Sequence, residues 1–499
     1  MLAVARTFAL IGIDADPVHV ELDIGGGLPS FTIVGLPDPA VRESRERVRA
    51  ALVNSGFEFP LRRITANLAP ADLPKAGPGF DLAIAAALLV ASNQIPRGML
   101  ERHALAGELA LDGSIRPVPG ALAMAEGTRR LGLRGIAVAP GDAPQAALVS
   151  GVEVVALDHI ARLRQLADGS IAALPPTAPE SLLADGANCS ADLADLKGQP
   201  ALRSALEVVA AGGHGVLIVG PPGVGKTLAA RRLPSLLPPL AAEELLEVAR
   251  IAGACGDGLA PTAARPFRAP HHTVSGRALT GGGTPPRPGE VTRAHRGVLF
   301  LDELGEFRRD ALEALRQPLE EGRVTISRVG GSVTLPSRFT LVAASNPCPC
   351  GRGEESGECE CHHGAVARYR AKLSGALADR IDVFVGLERP EATQLAAAPG
   401  ERSAPVHERV RAARLLQHER LGEGRCNAEM TPEEIGLHCS LDRGSERLLA
   451  SAHEGLGLSG RGWDGVLRVA RTLADLDGCE RIGEQQVAHA VSLRRRGDR

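Results

Sequence analysis

Residues Gly220-Pro221-Pro222-Gly223-Val224-Gly225-Lys226-Thr227 follow the apolar run Val216-Leu217-Ile218-Val219 and lead into Leu228-Ala229-Ala230-Arg231. This is the pattern G-x-x-x-x-G-K-[ST] in the strand-loop-helix setting it requires. The glycines let consecutive backbone N–H groups turn toward one phosphate, and a helix beginning directly after the loop adds its positive end. Lys226 is expected to reach the β- and γ-phosphates of a bound ATP, and the Thr227 hydroxyl to hold Mg²⁺. The chain has four lysines, Lys75, Lys197, Lys226 and Lys372, against 56 basic residues in all, so arginine fills most basic positions and one of the few lysines sits here. Such a stretch commits its part of the chain to an α/β core with a parallel sheet.

Two other apolar runs fit that sheet. Val298-Leu299-Phe300-Leu301 ends in Asp302-Glu303, the look of a buried parallel strand whose carboxyl end faces a ligand. Asp302 there can coordinate Mg²⁺ through water, and Glu303 can polarise the water that attacks the γ-phosphate. Thr340-Leu341-Val342-Ala343-Ala344 ends at Ser345-Asn346, where an uncharged amide at the tip of a strand beside the P-loop strand can orient that water. Arg380 lies close to the end of the core, within Leu377-Ala378-Asp379-Arg380-Ile381-Asp382.

With 499 residues the chain is too long for one core and suggests about three domains at roughly 150 residues each. Residues 1–165 read as alternating strands and helices, with Thr7 to Val20 and Ile33 to Leu36 strand-like. Asp38-Pro39 reads as a helix start and Gly56 as its end, with Val41, Val48 and Leu52 on one side and a solvated charged face opposite. Residues 166–190 are a Pro/Ala/Ser/Gly linker, 191–389 the nucleotide-binding core, and 390–499 a helical lid.

The net charge of −3 argues against a surface that coats nucleic acid, so any polyanion site must be local. No run approaches the roughly 18 to 20 uncharged apolar residues of a membrane helix, and no signal peptide is visible, which predicts a cytosolic protein without membrane contact. Nine cysteines in such a chain are not a disulfide framework. Cys348-x-Cys350 and Cys359-x-Cys361 offer four thiolates, enough for a closed tetrahedral Zn²⁺ site within an insert at 348–363. Reduced, metal-free cysteines are the alternative, because C-x-C is tighter than the common C-x₂-C.

Residues 73–81, with Gly77-Pro78-Gly79, and 107–120, with Pro117-Val118-Pro119-Gly120, resemble the proteolytic domain of Lon-type proteases. There a serine follows the Gly-Pro pair and a lysine follows the Pro-Val-x-Gly turn. Here those positions are Gly79 and Leu122, so nucleophile and base are both missing, and the domain reads as a catalytically dead α+β relative. With the motifs above, with Arg265-Pro266-Phe267-Arg268-Ala269-Pro270-His271-His272, Pro288-Gly289-Glu290, Asn346-Pro347-Cys348-Pro349-Cys350-Gly351 and Gly460-Arg461-Gly462-Trp463, the chain resembles the magnesium-chelatase-like AAA+ ATPases. Within them it is similar to the ComM (YifB) family over almost its whole length.

That resemblance implies a homo-oligomeric ring, usually a hexamer, with ATP bound between subunits. Arg380 matches the arginine finger and Asn346 matches sensor 1. The stretch from Ser459 to Ala474 matches the sensor 2 helix, with Arg468 as the phosphate contact and Arg461 as the runner-up. The resemblance further implies a motor acting on branched or single-stranded DNA when incoming strands are integrated during recombination. Residues 323–335 read as a hairpin of alternating strands around a Gly330-Gly331 turn, whose Arg323 and Arg328 can grip phosphates by charge. The segment from His271 to Glu290 is a second pore-loop candidate, with His271 and His272 read as structural. The competing readings are a chelatase-type ATPase that remodels a partner protein, and a regulatory module binding protein through the Lon-like domain.

Overall fold

The computed structural model describes residues 2–185, 191–257, 263–328, 331–353, 359–373, 377–396 and 398–494. It opens with two long antiparallel strands, Leu2–Ile11 and Asp14–Gly25, paired from Leu2↔Asp23 to Ile11↔Asp14. The run from Thr7 to Val20, expected as one strand-like stretch, thus folds back at Gly12, whose φ of 67° suits glycine. The two strands are the middle of a seven-stranded mixed sheet. Helix Pro39–Asn54 begins as its sequence predicts, with the Asp38 carboxylate accepting the Val41 N–H at 2.8 Å, and buries Val41, Val48 and Leu52. Helix Asp81–Ala91 is apolar on every side after Asp81 and is buried along its whole length. Gly79 faces Val118, and Leu122 is fully buried, so neither position carries a nucleophile or a base.

The proline-rich stretch is not a free tether in its described part. Leu174 donates its N–H to Val154 O at 2.7 Å, Thr177 donates to Ala147 O at 3.0 Å, and a helix follows at Pro179–Asp185. Proline supplies no N–H, so this strap is held through its few non-proline donors and through Leu174 and Leu182, which pack on the amino-terminal core.

The central sheet has five strands in the order Phe267–Arg268, Val298–Leu301, Thr340–Ser345, Val216–Val219, Val383–Gly386, all parallel. The strands Val298–Leu301 and Thr340–Ser345 are buried at every residue, as a doubly covered sheet requires. One face shares a core with helix Pro200–Gly212 and with the lid helices Ser403–Leu421, Gly460–Leu476 and Glu484–Arg494. The other face packs against Leu279, Phe307, the hairpin residues Val324, Ile326 and Leu335, and Ile13 from the amino-terminal turn. Further bonds tie that domain to the core: Gly120 N–H to Gly253 O at 3.0 Å, and Arg250 to Glu126 at 2.6 Å.

The hairpin pairs Arg323–Arg328 with Gly331–Pro336. Its ladder ends at Arg328↔Gly331, so Gly331 belongs to the strand, and the rest of the expected Gly330-Gly331 turn lies outside the described residues. Among the described residues no helix is long and apolar enough to cross a membrane.

Candidate nucleotide site

The P-loop joins strand Val216–Val219 to helix Lys226–Arg232. Gly223 at φ 80° and Gly225 at φ 97° take the left-handed conformations that wrap the loop around an anion. Lys226 is nearly buried, and its ammonium donates to Gly220 O at 2.5 Å, Pro221 O at 3.0 Å and Asn346 Oδ1 at 2.9 Å. Burial lowers its pKa, opposed by the charges of Asp302 and Glu303. Phosphate oxygens entering the loop would replace these carbonyls as acceptors.

Thr227 donates its hydroxyl to Asp302 Oδ2 at 2.8 Å, so the two expected Mg²⁺ ligands already meet, one on the helix after the loop and one at the end of strand Val298–Leu301. A hydroxyl beside a half-buried carboxylate at the mouth of an anion-binding loop is a donor set suited to a hard, oxygen-preferring cation. Glu303 follows directly, at φ 52° and ψ 49°. A non-glycine residue there carries strain of about 1–3 kcal/mol, a cost found where geometry serves function. Its carboxylate is half exposed and lies 3.3 Å from His272 Nδ1. Sequence reading missed this partner, because nothing in a chain gap from 272 to 303 signals contact.

Strand Thr340–Ser345 lies between the other two site strands, in register Val216↔Val342 and Val298↔Thr340, and delivers Asn346 beside Lys226. Tyr369, the chain's single tyrosine, is buried behind it. Its hydroxyl lies 3.1 Å from Ser345 Oγ, and its ring fills the space a side chain would need at Gly305, where an added Cβ would lie 2.3 Å from ring carbons.

Arg380 is held elsewhere. Its carbonyl lies against Gly215, at the amino end of the P-loop strand, and its guanidinium pairs with Glu320. From Gly215 to Gly220 is five residues, roughly 17 Å at about 3.3 Å per residue, too far for this arginine to serve its own P-loop. Arg461 pairs with the same Glu320 at 2.8 Å. Arg468 donates to Met430 O at 2.7 Å within the lid and is among the charges acting on Asp382. The structure thus brings Lys226, Thr227, Asp302, Glu303 and Asn346 together and keeps Arg380, Arg461 and Arg468 apart from them.

Behind Arg380, buried His214 contacts Asp382 Oδ2 through Nδ1 at 2.9 Å and Thr472 Oγ1 through Nε2 at 2.8 Å. Burial alone would raise the Asp382 carboxyl, but His214, Arg494 and Arg468 hold it below its ordinary value. A polar bridge thus joins the lid helix Gly460–Leu476 to the segment carrying Arg380.

The four cysteines converge. Their sulfurs lie within 4.8 Å of one another, as free thiols rather than disulfides. The basic hairpin side chain that is described, Arg323, is exposed and pairs with Glu321 at 3.2 Å; the side chain of Arg328 lies outside the described residues.

Three family models cover most of the chain: "Magnesium chelatase, subunit ChlI" at 192–395, "Subunit ChlI of Mg-chelatase" at 20–142, and "Magnesium chelatase, subunit ChlI C-terminal" at 400–494. The chain is 43% identical over 497 residues to "Uncharacterized protein YifB" of Salmonella typhimurium, covering 99% of this chain and 97% of that protein. It is 40% identical over 501 residues to "Competence protein ComM" of Haemophilus influenzae, covering 99% and 97%. Similarity to the "Magnesium-chelatase 38 kDa subunit" of Cereibacter sphaeroides is 31% over 169 residues, 30% of this chain and 51% of that one. With its P-loop, paired acidic strand end and full-length matches, the chain belongs to the ComM/YifB family of magnesium-chelatase-like AAA+ proteins.

Proposed function

We propose that this chain is an ATP-driven, hexameric DNA motor that promotes branch migration or unwinding of recombination intermediates, as in the integration of transforming DNA. The observation that carries the ATPase part is the convergence of Lys226, Thr227, Asp302 and Asn346 at one end of the sheet, with Arg380 at the other. Lys226 and the loop amides would hold the triphosphate, Thr227 and Asp302 the Mg²⁺, and Asn346 and Glu303 the lytic water. Bound Mg²⁺ would neutralise charge developing on the phosphates. Arg380 would complete the site of the next subunit, which makes a ring the working form.

The DNA part draws on the end-to-end similarity to a competence protein and on charge. A net-acidic subunit needs local basic contacts, and a ring would gather Arg323 and Arg328 from every hairpin around one pore. The amino-terminal domain, read as Lon-like without its dyad, would be an adaptor. The chelatase-type reading is weaker on pairwise similarity, which runs over 99% of this chain for the competence protein and over 30% for the 38 kDa chelatase subunit, although the family models along the chain carry the chelatase name. The test is branch movement on a labelled four-way junction with ATP, with Glu303→Gln as control. ATP-dependent conversion of the junction supports the motor. Steady ATP hydrolysis with no movement of forked, three-stranded or four-way substrates would favour a protein remodeller.

A further inference from the structure

We propose that Cys348, Cys350, Cys359 and Cys361 hold one Zn²⁺ ion, and that this ion locks together the loops that frame the nucleotide site. Four thiolates at Zn–S of about 2.3 Å in a tetrahedron stand about 3.8 Å apart. The sulfurs here are 3.3 Å apart for Cys348 and Cys350, and 3.7 Å for Cys359 with each of them. Four protein ligands leave no open position, which marks a structural ion rather than a catalytic one. The surroundings suit bound thiolates. Gly353 N–H points at Cys348 Sγ at 3.3 Å and Cys350 N–H at Cys361 Sγ at 3.4 Å, the outer contacts that orient metal ligands.

The knot touches each part of the site. Cys348 is two residues beyond Asn346, the partner of Lys226. Gly351, inside the knot at φ 83°, lies so near the P-loop that a Cβ there would be 3.0 Å from the Pro222 ring and 3.9 Å from Asn346. Cys361 leads into helix His363–Leu373, whose Tyr369 wedges between Ser345, just before Asn346, and Gly305, just after Glu303. Without an ion, the two C-x-C turns are linked among the described residues by weak sulfur hydrogen bonds and by an exposed Arg352–Glu360 pair at 3.6 Å. With one, binding energy of the kind that folds small zinc domains is applied beside the γ-phosphate position.

The consequence for turnover rests on the ATPase reading above, whereas metal content does not. Full-length protein purified without added metal is analysed for zinc, and its thiols are titrated with a mercurial while zinc release is followed. One zinc per chain, released as the thiols react and reduced at least tenfold in Cys359→Ser and Cys361→Ser, is expected. Cobalt substitution should give the thiolate charge-transfer and intense visible bands of a tetrahedral sulfur site, a readout that needs no variant to fold. Zinc-depleted protein should lose at least tenfold in ATP turnover, keep its helical circular dichroism, and recover when Zn²⁺ is restored. Protein without metal that also gives no cobalt bands would overturn the site. Stoichiometric zinc whose removal changes neither ATP affinity nor turnover would overturn the locking role. Stoichiometric zinc in a protein that never hydrolyses ATP would overturn the ATPase reading and the locking role together, and leave the metal site standing.

Discussion

Single residues set the chemistry. Lys226→Ala removes the one ammonium that bridges the loop carbonyls and Asn346, and a nucleotide-binding titration should find ATP affinity lost. Glu303→Gln keeps the shape and removes the base, so the variant should bind ATP and stall, with turnover down by ~10²–10⁴ in a single-turnover assay. Equal turnover in Glu303→Gln and the parent would exclude Glu303 as the base. Asp142 gives a pH prediction. Burial pushes its carboxyl up to about 6, against the Val118 N–H it accepts at 2.8 Å. A folded value above the unfolded one, near 3.9, means that its contribution to stability is fully present below about pH 4 and is lost as pH rises through about 6. Asp142→Asn should therefore raise stability by about 1–3 kcal/mol at pH 7.5 and by little at pH 4, measured by urea unfolding at both.

At the scale of elements, what the sequence made legible was local. The P-loop, the acidic strand end at Asp302-Glu303 and the Asp38 helix cap depend on neighbours in the chain, and each appears where its pattern put it. Contacts between distant segments left no such mark: His272 beside Glu303, Tyr369 between Ser345 and Gly305, and His214 joining Asp382 to Thr472. The prolines of the expected 166–190 linker signalled neither the strap's docking nor the helix at Pro179–Asp185. One tertiary contact yields a prediction about the hairpin. Gly12 is so close that an added Cβ would lie 2.7 Å from Val333 and 3.1 Å from Leu335, and its φ is 67°. Gly12→Val should displace the hairpin and reduce DNA-stimulated hydrolysis, whereas Val53→Ala, on an exposed helix position, should not. Unchanged stimulation in Gly12→Val would mean that the amino-terminal turn does not set the hairpin.

At the scale of the whole molecule, the separation of Arg380 from its own P-loop fits the proposed ring, in which each subunit would supply half of a site. Arg380→Ala should lower turnover by ~10³–10⁵, the worth of such a group in other phosphoryl-transfer enzymes. Mixing it with Lys226→Ala subunits should restore part of the activity, because some interfaces then pair an intact P-loop with an intact arginine. Mixed rings that assemble and never recover would contradict action across the interface. The His214 bridge ties that arginine's segment to the lid, so in the proposed ring the lid and Arg380 should move as one body when a neighbouring subunit binds nucleotide.

If the chain is a DNA motor as proposed, its ATP hydrolysis is coupled to DNA. The most direct measurement is the steady-state ATPase rate of the purified full-length protein with and without forked or single-stranded DNA, run beside Arg328→Ala. DNA should raise the rate, and Arg328→Ala should remove the increase. A rate indifferent to every DNA form, across several nucleotide and salt concentrations, would contradict that coupling.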